Sequence, residues 1–552
     1  MYTSSSISSR HLLILLSVSV FVSPLSTIAR GQSQVLIPDE PPVAIETASD
    51  LLSSGKELEK QNRWLDAFSH YEEALRSYPG NDQLDTRHTL AEIHCDLERR
   101  YADTSFRSLT ASATEQQALD SFGEITRKVQ NHYVEEPQWH QLTWRGTANL
   151  DVALTKSSFV NEFLKGVTPE RISQFRGKLR GDVNRRVVRS LADARELVAY
   201  AARLAKQELG IAPSVVVLEY CCGAISSLDQ YSTYLTGSQL DDVYNQIEGN
   251  FVGLGIELKA EDDSLLIVNV IPKGPADRAG IRQDDRIVMV DGHSTRDIST
   301  ERAADMLKGL EGSEVRIRII SSDLAARDLT VRRERVDVPC VENVTIIDSK
   351  TGVGYFWLTS FQKTTSRDVD QALWKLHREG MKSLIVDVRG NPGGLLTASV
   401  EVADKFIHEG TIVSTRGRSP RENYEYPAHR VGTWPVPLIV LIDRDTASAS
   451  EIFAGAIRDH SRGRVVGERS YGKGSVQGIF QLAAARAGVR LTTARFFSPS
   501  GHQISKRGIH PHTQVHSSAK PVGHQLPADL GDDLALQTAV SMAEEMTLAQ
   551  RP

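Results

Sequence analysis

Three short stretches of the sequence place small and polar residues where chemistry could occur. In DTASASE (445–451), which follows the apolar run LIVLI, Ser448 stands among residues small enough for another chain to approach its hydroxyl group. The spacing from Ser448 to Glu451 is also that of a capping box, in which the two side chains only close the end of a helix. Ser448 is therefore a candidate nucleophile with a purely structural alternative.

A second stretch could supply hydrogen-bond donors to the same reaction. DVRGNPGG (387–394) ends in Gly393 and Gly394, and a glycine pair can bring free backbone N–H groups close to a neighbouring loop. Such donors stabilise the negative charge that develops when a hydroxyl group attacks a carbonyl carbon. The pattern thus points to acyl transfer.

The third stretch offers a base. Lys473 lies between two glycines in YGKGSVQ (471–477), and a turn this tight could bury it. Burial lowers the pKa of an ammonium group, and a neutral lysine can take a proton from serine. No histidine is well placed for that task, because His460 follows Asp459 directly and adjacent helical residues do not face each other.

The pattern of apolar runs predicts the elements that position these stretches. Short apolar strands are expected at 383–388, 411–415, 437–442 and 464–468, with helices at 395–409 and 448–460. Near-continuous apolar strands that alternate with helices indicate a largely parallel sheet covered on both faces. In such sheets, ligands bind in the loops that follow the carboxyl ends of strands. All three stretches follow a predicted strand.

Residues 250–320 show a different pattern, of short alternating strands separated by Gly, Pro and Asp turns, with one helix expected at 300–309. The loop GLGI, the turn GPADRAGI and the hairpin DRIVMVDG resemble those of a PDZ domain. In that family the loop, here Gly253, Leu254, Gly255 and Ile256, holds the terminal carboxylate of a peptide, which adds as a strand to the sheet edge.

The amino-terminal part predicts export and a helical region. Residues 12–22 are apolar but too few to span a membrane, which is typical of a signal peptide; an uncleaved anchor is the alternative. Residues 48–81 resemble one tetratricopeptide repeat, with an ordinary helical hairpin as the alternative, and should pack on the next helix or on a partner. The Arg- and Lys-rich stretch 150–213 looks like an inserted helical hairpin.

Bulk composition excludes some functions. The 552 residues carry a formal net charge of -6, which gives no reason to expect nucleic-acid binding. The four cysteines allow at most two disulfide bridges and imply no dense disulfide framework, and they are expected to be small buried residues. His510 and His512 in GIHPH favour a surface loop over a metal site, so no metal is expected.

Taken with its partner stretches, TASASEI resembles the C-terminal processing peptidases, also called tail-specific proteases. Further motifs follow in the order of that family: NHYVEEP (131–137), SLDQYSTYL (227–235), GVGYFWLTSF (352–361), DVRGNPGG, YGKGSVQ and FFSPSGHQISKRGIHP (496–511). Two departures stand out. Gln230 replaces a usual proline, and His512 replaces a usual aspartate, which puts a local strand contact in doubt.

The resemblance implies a serine endopeptidase that cleaves proteins with apolar C-terminal tails and needs no cofactor. It assigns Ser448 as nucleophile, Lys473 as general base, Gln477 as the residue that orients the lysine, Glu451 and Asp459 as supporting residues, and the N–H groups of Ala449 and of Gly393 or Gly394 as the oxyanion hole. A catalytically idle peptide-binding adaptor and a ligand carrier on the same fold are the alternatives. The protein should be periplasmic or secreted, with an adaptor protein or a second copy as a possible partner of the helical region.

The fold expected is multidomain α+β. Its parts are a signal peptide (1–31), a linker (32–47), a tetratricopeptide-like helical region (48–110), a helical cap region (111–248), a PDZ β-sandwich or barrel (249–335), a crotonase-like α/β protease core (340–516) and a C-terminal tail (517–552).

Overall fold

The structure, a computed structural model, divides the chain into two compact units. It describes residues 46–261, 264–296, 306–321, 325–429, 432–516 and 533–549. The helical unit comprises residues 46–240 and 479–491, and the second unit comprises the described residues of 241–478 and 492–549. The predicted signal peptide and most of the predicted linker lie outside the described residues. Elements are numbered below in chain order.

The helical unit consists mainly of helices, which pack around one large apolar core and, at the amino-terminal hairpin, around a smaller one. They are α1 (Ala48–Lys60), α2 (Trp64–Ser77), α3 (Asp82–Ala102), α4 (Thr104–Ser112), α5 (Glu115–His132), α6 (Trp139–Ala153), α7 (Ser157–Phe163), α8 (Pro169–Asn184), α9 (Leu191–Leu209) and α10 (Pro213–Ser226). The short strand β1 (Thr233–Leu235) pairs antiparallel with residues 488–490.

Helices α1 and α2 form a hairpin that packs on α3, as expected for 48–81. Gly55 is required there, because a Cβ atom at this position would lie 2.3 Å from the ring of Tyr71. The Tyr71 hydroxyl group donates a hydrogen bond to Glu59 (2.7 Å), and Arg87 of α3 pairs with the same carboxylate. The likeness to a tetratricopeptide repeat stays a prediction.

The stretch 150–213 differs from the expected inserted hairpin. It forms three helices, α7, α8 and α9, and their apolar side chains, including Phe159, Phe175 and Leu197, belong to the main core of the helical unit. The basic residues that dominate the sequence here lie on outer helix faces, so the charge pattern concealed the apolar face. The segment is therefore integral to the unit.

Helix α10 is buried along almost its whole length. Gly223 lies so close to α6 that a Cβ atom on it would stand 2.6 Å from the Cα atom of Gly146. Cys221 and Cys222 are free and buried in this helix, Cys340 is free and buried in the second unit, and Cys95 is free and partly exposed. The expectation of small buried cysteines is confirmed for three of the four.

The PDZ part of the second unit follows α11 (Gly237–Glu248). Its elements are β2 (Asn250–Gly253), β3 (Ile256–Glu261), β4 (Ser264–Val270), α12 (Pro275–Arg278), β5 (Arg286–Val290), β6 (His293–Ser294), β7 (Glu314–Ile320), β8 (Ala326–Arg332) and β9 (Glu334–Asp337). One sheet has the order β3-β4-β5-β7-β8, so β3 is an edge strand, and β2 pairs with β9. The helix expected at 300–309 lies mostly outside the described residues.

The predicted α/β core of the second unit (340–516) has a sheet of order β10-β11-β12-β15-β16-β19. Its strands are β10 (Val341–Asp348), β11 (Val353–Leu358), β12 (Ser383–Asp387), β15 (Leu438–Ile442), β16 (Arg464–Gly467) and β19 (Thr513–Gln514), and the helices are α13 (Thr365–Arg378), α14 (Leu396–Asp404) and α15 (Ala449–Asp459). All neighbours pair in parallel except β10 with β11. Every residue of β12 and β15 is buried, as expected for a two-sided sheet.

The strand expected at 411–415 belongs to a different sheet. It forms β13 (Thr411–Gly417), which pairs antiparallel with β14 (Tyr424–Pro427) and with the end of β18 (Gly488–Phe497), to which β17 (Ser475–Gln481) is also paired. A short 3-10 helix (Pro420–Glu422) lies between β13 and β14. An apolar run shows that a strand is buried but not which neighbour it pairs with, and the prediction of one parallel sheet was wrong for this strand.

The C-terminal segment contains a helix where the sequence suggested only a tail. Helix α16 (Leu534–Ala549) packs on one face of the parallel sheet through Ala535, Leu536, Ala539, Val540 and Ala543. It thus covers the sheet face formed by side chains such as Ile385 and Ile439. Among the helices described, none has the length and apolar character needed to cross a membrane.

Candidate active site

The three sequence stretches meet at one edge of the parallel sheet. Strands β12, β15 and β16 are neighbours, and the loops that follow them, 388–395, 443–448 and 468–474, carry the glycine pair, Ser448 and Lys473. Because parallel strands present their carboxyl ends at the same edge, the topology brings the loops together. The three loops lie together as expected, and their assignment as an active site stays a prediction at this point.

Two residues that the sequence reasoning did not single out tie the first two loops together. The backbone carbonyl of Asn391 accepts hydrogen bonds from the Ala447 N–H and the Ser450 hydroxyl group, both at 3.0 Å. The carboxylate of Asp443 accepts the N–H of Gly390 at 3.0 and 3.1 Å. Asp443 is a polar residue directly after a buried strand, and that placement was the available signal for it, whereas Asn391 acts here through its backbone.

Ser448 has a strained backbone at the turn from β15 into α15. Its φ is 62° and its ψ is -113°, a conformation that costs a non-glycine residue about 1–3 kcal/mol. Serine nucleophiles of other hydrolases stand on similarly sharp strand-to-helix turns. The side chain is fully buried, and its Oγ atom has no hydrogen-bond partner among the described residues. Glu451 accepts the Ser448 N–H (2.6 Å), so the capping-box pattern is present and still leaves the Ser448 hydroxyl group without a partner among the described residues.

The glycine pair lies directly against this turn. A Cβ atom on Gly393 would stand 2.9 Å from the Cβ atom of Ser448 and 3.0 Å from the Ala449 nitrogen, and the φ of Gly393 is 109°. The N–H of Gly393 donates to the side-chain oxygen of Asn391 (2.9 Å). Within the described part of the chain, the N–H groups of Gly394 and Ala449 have no acceptor. Of the two glycines considered, Gly394 has the donor to offer.

Glu451 joins the serine loop to the lysine loop. Its Oε2 atom accepts the N–H groups of Ser448 (2.6 Å) and Lys473 (2.9 Å), and its Oε1 atom accepts the Ser470 hydroxyl group (2.6 Å) and the Gly472 N–H (2.7 Å). One buried carboxylate oxygen thus fixes the backbones of both predicted catalytic residues. Burial raises the pKa of Glu451 to about 7, although the four hydrogen bonds oppose this shift.

Lys473 and Gln477 are buried beside this junction, as the sequence predicted for the lysine. The Nε2 atom of Gln477 donates to the hydroxyl groups of Ser475 (2.9 Å) and Thr492 (3.4 Å), while its Oε1 atom has no partner among the described residues. Hydrogen bonds from Lys473 to Ser448 Oγ and to Gln477 Oε1 are thus not formed in this structure. Catalytic hydrogen bonds are often long without substrate and tighten when substrate binds.

Asp459 is not part of the cluster. It lies in the last turn of the 11-residue helix α15, roughly 15 Å along the axis from Ser448 at the rise of an α-helix. Its carboxylate accepts the N–H (3.1 Å) and the hydroxyl group of Ser500. Burial raises the pKa of Asp459, but hydrogen bonds from Ser498 and Ser500 outweigh this effect and lower it. His460 interacts with the Thr411 carbonyl and not with serine.

The two departures from the family pattern leave local structure intact. His512 donates its backbone N–H to the Val465 carbonyl (2.7 Å), and its Nδ1 atom accepts the Val465 N–H (3.0 Å), so the doubted strand contact is present. In the turn that contains Gln230, the carboxylate of Asp229 accepts the N–H groups of Tyr231 and Ser232 at 2.8 Å and holds the turn without proline. In the described ranges, no group of three or more His, Cys, Asp or Glu residues could hold a metal ion.

Two backbone hydrogen bonds hold the predicted peptide-binding loop 253–256, which leads into a strand with an open edge. The carbonyl of Leu254 accepts the Ala276 N–H and the carbonyl of Gly255 accepts the Ile271 N–H, each at 2.9 Å. Gly255 has a φ of 77°, which favours glycine. Ile256 then begins β3, whose outer edge is unpaired within the described residues. A peptide can add to such an edge as a further strand.

Comparisons with known proteins agree with this geometry. A family model described as peptidase family S41 matches residues 352–515, and a PDZ domain model matches residues 266–321. The carboxy-terminal-processing protease of Bartonella bacilliformis is 36% identical over 296 residues, which cover 52% of this chain and 67% of that protein. The carboxyl-terminal-processing protease of Picosynechococcus sp. is 33% identical over 328 residues, which cover 58% of this chain and 78% of that protein.

A solved structure gives a looser match. It is that of a photosystem II D1 C-terminal processing protease, with 25% identity, coverage of 76% of this chain and 96% of that chain, and a TM-score of 0.39.

Proposed function

Because this chain belongs to the carboxyl-terminal processing proteases of peptidase family S41, we propose that Ser448 is its nucleophile and Lys473 its general base. The observation that carries this assignment is the Glu451 carboxylate, one oxygen of which accepts the N–H groups of both residues. That arrangement holds a serine and a buried lysine at fixed separation. A helix cap alone would not need the hydrogen bond from the Lys473 N–H to Glu451.

The proposed reaction is acyl transfer. The neutral amine of Lys473 takes the proton of Ser448 as Oγ attacks the peptide carbonyl carbon. The C–N bond then breaks, and the Lys473 ammonium group gives the proton to the leaving amine. Water attacks the acyl-enzyme ester, Lys473 removes a proton from this water, and the proton passes to Oγ as the ester bond breaks. The products are two shorter chains and free enzyme.

Two buried oxygens indicate how the lysine engages. The Oγ atom of Ser448 and the Oε1 atom of Gln477 both lack hydrogen-bond partners among the described residues, and buried polar atoms are rarely left so without a functional reason. We propose that the amine of Lys473 accepts from Ser448 and donates to Gln477 in the working state. Gln477 is then a positioning residue that orients the lysine.

The oxyanion hole is assigned to Ala449 and Gly394. Each N–H lacks an acceptor in the described residues, whereas the N–H of Gly393 is engaged by Asn391. A donor of this kind is worth about 2.7–4 kcal/mol to the transition state. Gly393 contributes space, since a side chain there would meet Ser448. The start of α15 adds the positive end of a helix dipole.

Substrate selection is assigned to the PDZ domain. We propose that the loop 253–256 binds the carboxylate of an apolar C-terminal tail and that the tail pairs with the open edge of β3. Substrates would therefore be proteins or peptides chosen by their last residues. The distance in sequence between the tail and the cleaved bond would then depend on how much of the substrate chain is needed to reach from the PDZ loop to Ser448.

The assignment is tested by cleavage of an unstructured protein with an apolar C-terminal tail. The comparison is between the chain without residues 1–31 and its Ser448→Ala and Lys473→Ala variants, with the tail free, amidated or ending in Asp. We expect cleavage only by the unsubstituted chain, slowed at least tenfold by either tail change. Cleavage by Ser448→Ala would refute the nucleophile, and equal rates for all tails would refute tail selection.

We also propose that the protein is exported to the periplasm or secreted, on the basis of the apolar run 12–22, or is held at a membrane by an uncleaved signal. Sequencing the amino terminus of protein from its native cells distinguishes these cases. A start near residue 32 indicates cleavage, and a start at Met1 in the soluble cytoplasmic fraction contradicts export.

The helical region is a proposed contact for an adaptor protein or for a second copy of the chain. The predicted likeness of the hairpin α1–α2 to a tetratricopeptide repeat supports this proposal, because such repeats recognise partners through grooves. Light scattering of the purified chain, with and without residues 46–80, would reveal self-association through this region. A monomer in both forms would exclude the second copy.

A further inference from the structure

An arginine near the start of the glycine-pair loop is held by two carboxylates. One lies two residues away in the sequence, and the other lies 144 residues away. Arg389 lies two residues after the end of β12 and is only 3% exposed. Its Nε and Nη2 atoms donate to Asp387, with distances of 2.7–3.1 Å. Its Nη1 and Nη2 atoms also contact the two oxygens of Asp533, at 2.9 and 2.7 Å. Four of the five N–H groups of this planar cation thus face buried carboxylate oxygens.

The backbone of Arg389, at the start of the glycine-pair loop, is also held by hydrogen bonds. Its backbone N–H donates to Asp387 and its carbonyl accepts the ring N–H of Trp357, each at 3.0 Å. The next residue, Gly390, is clamped by Asp443, and Gly394 follows four residues later. Once the guanidinium group is fixed, the loop has little freedom before it reaches Gly394.

Asp533 comes from outside the active-site loops. It begins α16, where its carboxylate also accepts the Leu536 N–H (3.0 Å), and it is 2% exposed. Asp387 completes its own set of hydrogen bonds with the Tyr355 hydroxyl group (3.0 Å). Asp533 therefore binds the side of the guanidinium group that Asp387 leaves open. Because Asp533 stands at the start of α16, it reaches this position only when α16 is docked on the sheet.

We propose that Asp533 is a positioning residue for catalysis, which holds the oxyanion-hole loop in its working geometry through Arg389. This inference rests on the proposed role of Gly394 as an oxyanion donor. The helix α16 then has two functions, since it covers the sheet and also places a charge against the root of the catalytic loop. Neither Asp533 nor Arg389 contacts the reacting atoms.

The variant Asp533→Asn separates the two functions, because asparagine caps helices as well as aspartate but offers no charge to Arg389. We expect kcat for a short peptide with an apolar tail to fall about 10- to 100-fold with KM changed less than threefold, the scale of a misplaced catalytic group. The matched control is Val540→Ala on the same helix, which loses packing on the sheet. It should lower the melting temperature and leave kcat within twofold.

A second substrate reports on the oxyanion hole itself. When the scissile carbonyl oxygen is replaced by sulfur, a well-formed hole discriminates strongly against the larger, weaker acceptor. The ratio of oxygen to sulfur rates should fall in Asp533→Asn and stay unchanged in Val540→Ala. Arg389→Lys, which keeps the buried charge but loses the two-sided fork, should lower the ratio in the same way and serves if Asp533→Asn does not fold.

The outcomes are distinct from those that test the proposed function. If Ser448→Ala is inactive while Asp533→Asn and Arg389→Lys keep wild-type kcat and the wild-type rate ratio, the nucleophile stands and the positioning role is overturned. If Ser448→Ala still cleaves, the proposed function itself fails. A fall in kcat for Val540→Ala equal to that of Asp533→Asn would make the effect one of helix docking alone and would also overturn the inference.

Discussion

The two ends of helix α15 carry carboxylates that the sequence placed in the same supporting class. Glu451 in the first turn and Asp459 in the last turn each accept a serine hydroxyl group and backbone N–H groups. Yet burial raises the pKa of Glu451 to about 7, whereas hydrogen bonds outweigh burial and lower the pKa of Asp459. The difference lies in depth, because Glu451 is fully buried and Asp459 is not.

The comparison shows that a similar hydrogen-bond pattern can serve two purposes. The carboxylate of Glu451 accepts four hydrogen bonds and thereby joins the loops of Ser448 and Lys473 at the active-site edge. Asp459 uses its donors to fasten one surface turn around Ser500. If this distinction is right, changes at the first end should act on activity, and changes at the second end should act on stability.

The largest effect is expected from Gly393→Ala, which breaks the first end at its tightest contact. The added methyl group would lie 2.9 Å from Ser448 Cβ and 3.0 Å from the Ala449 nitrogen, at a φ of 109°. Because a displacement of about 1 Å at a reacting group can cost about 100-fold in rate, kcat should fall by at least that factor. Steady-state cleavage of the tail-bearing peptide measures it.

Gly390→Ala is the matched control for this substitution. Gly390 also has a positive φ, 70°, but a Cβ atom there would meet nothing within 4 Å. Both variants therefore have backbone strain, and only Gly393→Ala adds a clash with the nucleophile. Equal losses of kcat would show that strain in the loop, and not contact with Ser448, sets the activity.

The next effect in size is expected from Glu451→Gln. The amide group offers a donor where the carboxylate accepts, so one of its four donors loses its acceptor. A hydrogen bond to a charged group is worth about 1.5–3 kcal/mol, and the corresponding fall in kcat is about 10- to 100-fold. The circular dichroism spectrum should be unchanged. Wild-type kcat in this variant would reduce Glu451 to a helix cap.

The same residue gives a dependence on pH. Below a pKa of about 7 the carboxyl group of Glu451 gains a proton and must release one donor, so kcat should rise with pH up to about 7, and Glu451→Gln should lack that inflection. The folding effect has the opposite direction. Since the folded pKa exceeds the reference value of 4.5, the folded state binds more protons, and wild type should lose stability relative to Glu451→Gln as pH rises from 4.5 to 7.

The smallest effect on activity is expected from Asp459→Asn. The amide oxygen still accepts from Ser500, so kcat should stay within about twofold, while loss of the charge costs about 1 kcal/mol of unfolding free energy. Because the folded pKa of Asp459 is lowered, this contribution is present above the unfolded value near 3.8 and is lost as pH falls. Urea unfolding at pH 7 and pH 3 measures it. A tenfold fall in kcat would join Asp459 to the site.

Much of the site could be predicted because its parts are local in sequence. A small-residue turn, a glycine pair and a lysine between glycines each follow an apolar strand, and the rule for parallel sheets brings such loops together. The order of strands could not be read in the same way, and 411–415 was placed in the wrong sheet, because burial does not identify the pairing partner. The PDZ domain was recognisable because its turns have fixed composition.

Other features depend on contacts between distant residues, which no local pattern encodes. The oxygen of Asn391 that receives Ala447 and Ser450 belongs to the backbone, so its residue type carries no signal. Asp533 lies beyond the family motifs, and only the docked helix shows that it meets Arg389. The basic surface of 150–213 hid three helices whose apolar faces complete the core.

The docking of α16 has a consequence for how the protein is made. This helix is synthesised after every strand of the parallel sheet, so one apolar face of the sheet remains uncovered until nearly all of the described chain has left the ribosome. Chains are synthesised at about 5–20 residues per second, and domains generally begin to fold during synthesis. An apolar sheet face that is uncovered in that interval is a target for chaperones. Asp533 stands at the start of this helix, so its contact with Arg389 would also form only after α16 has docked.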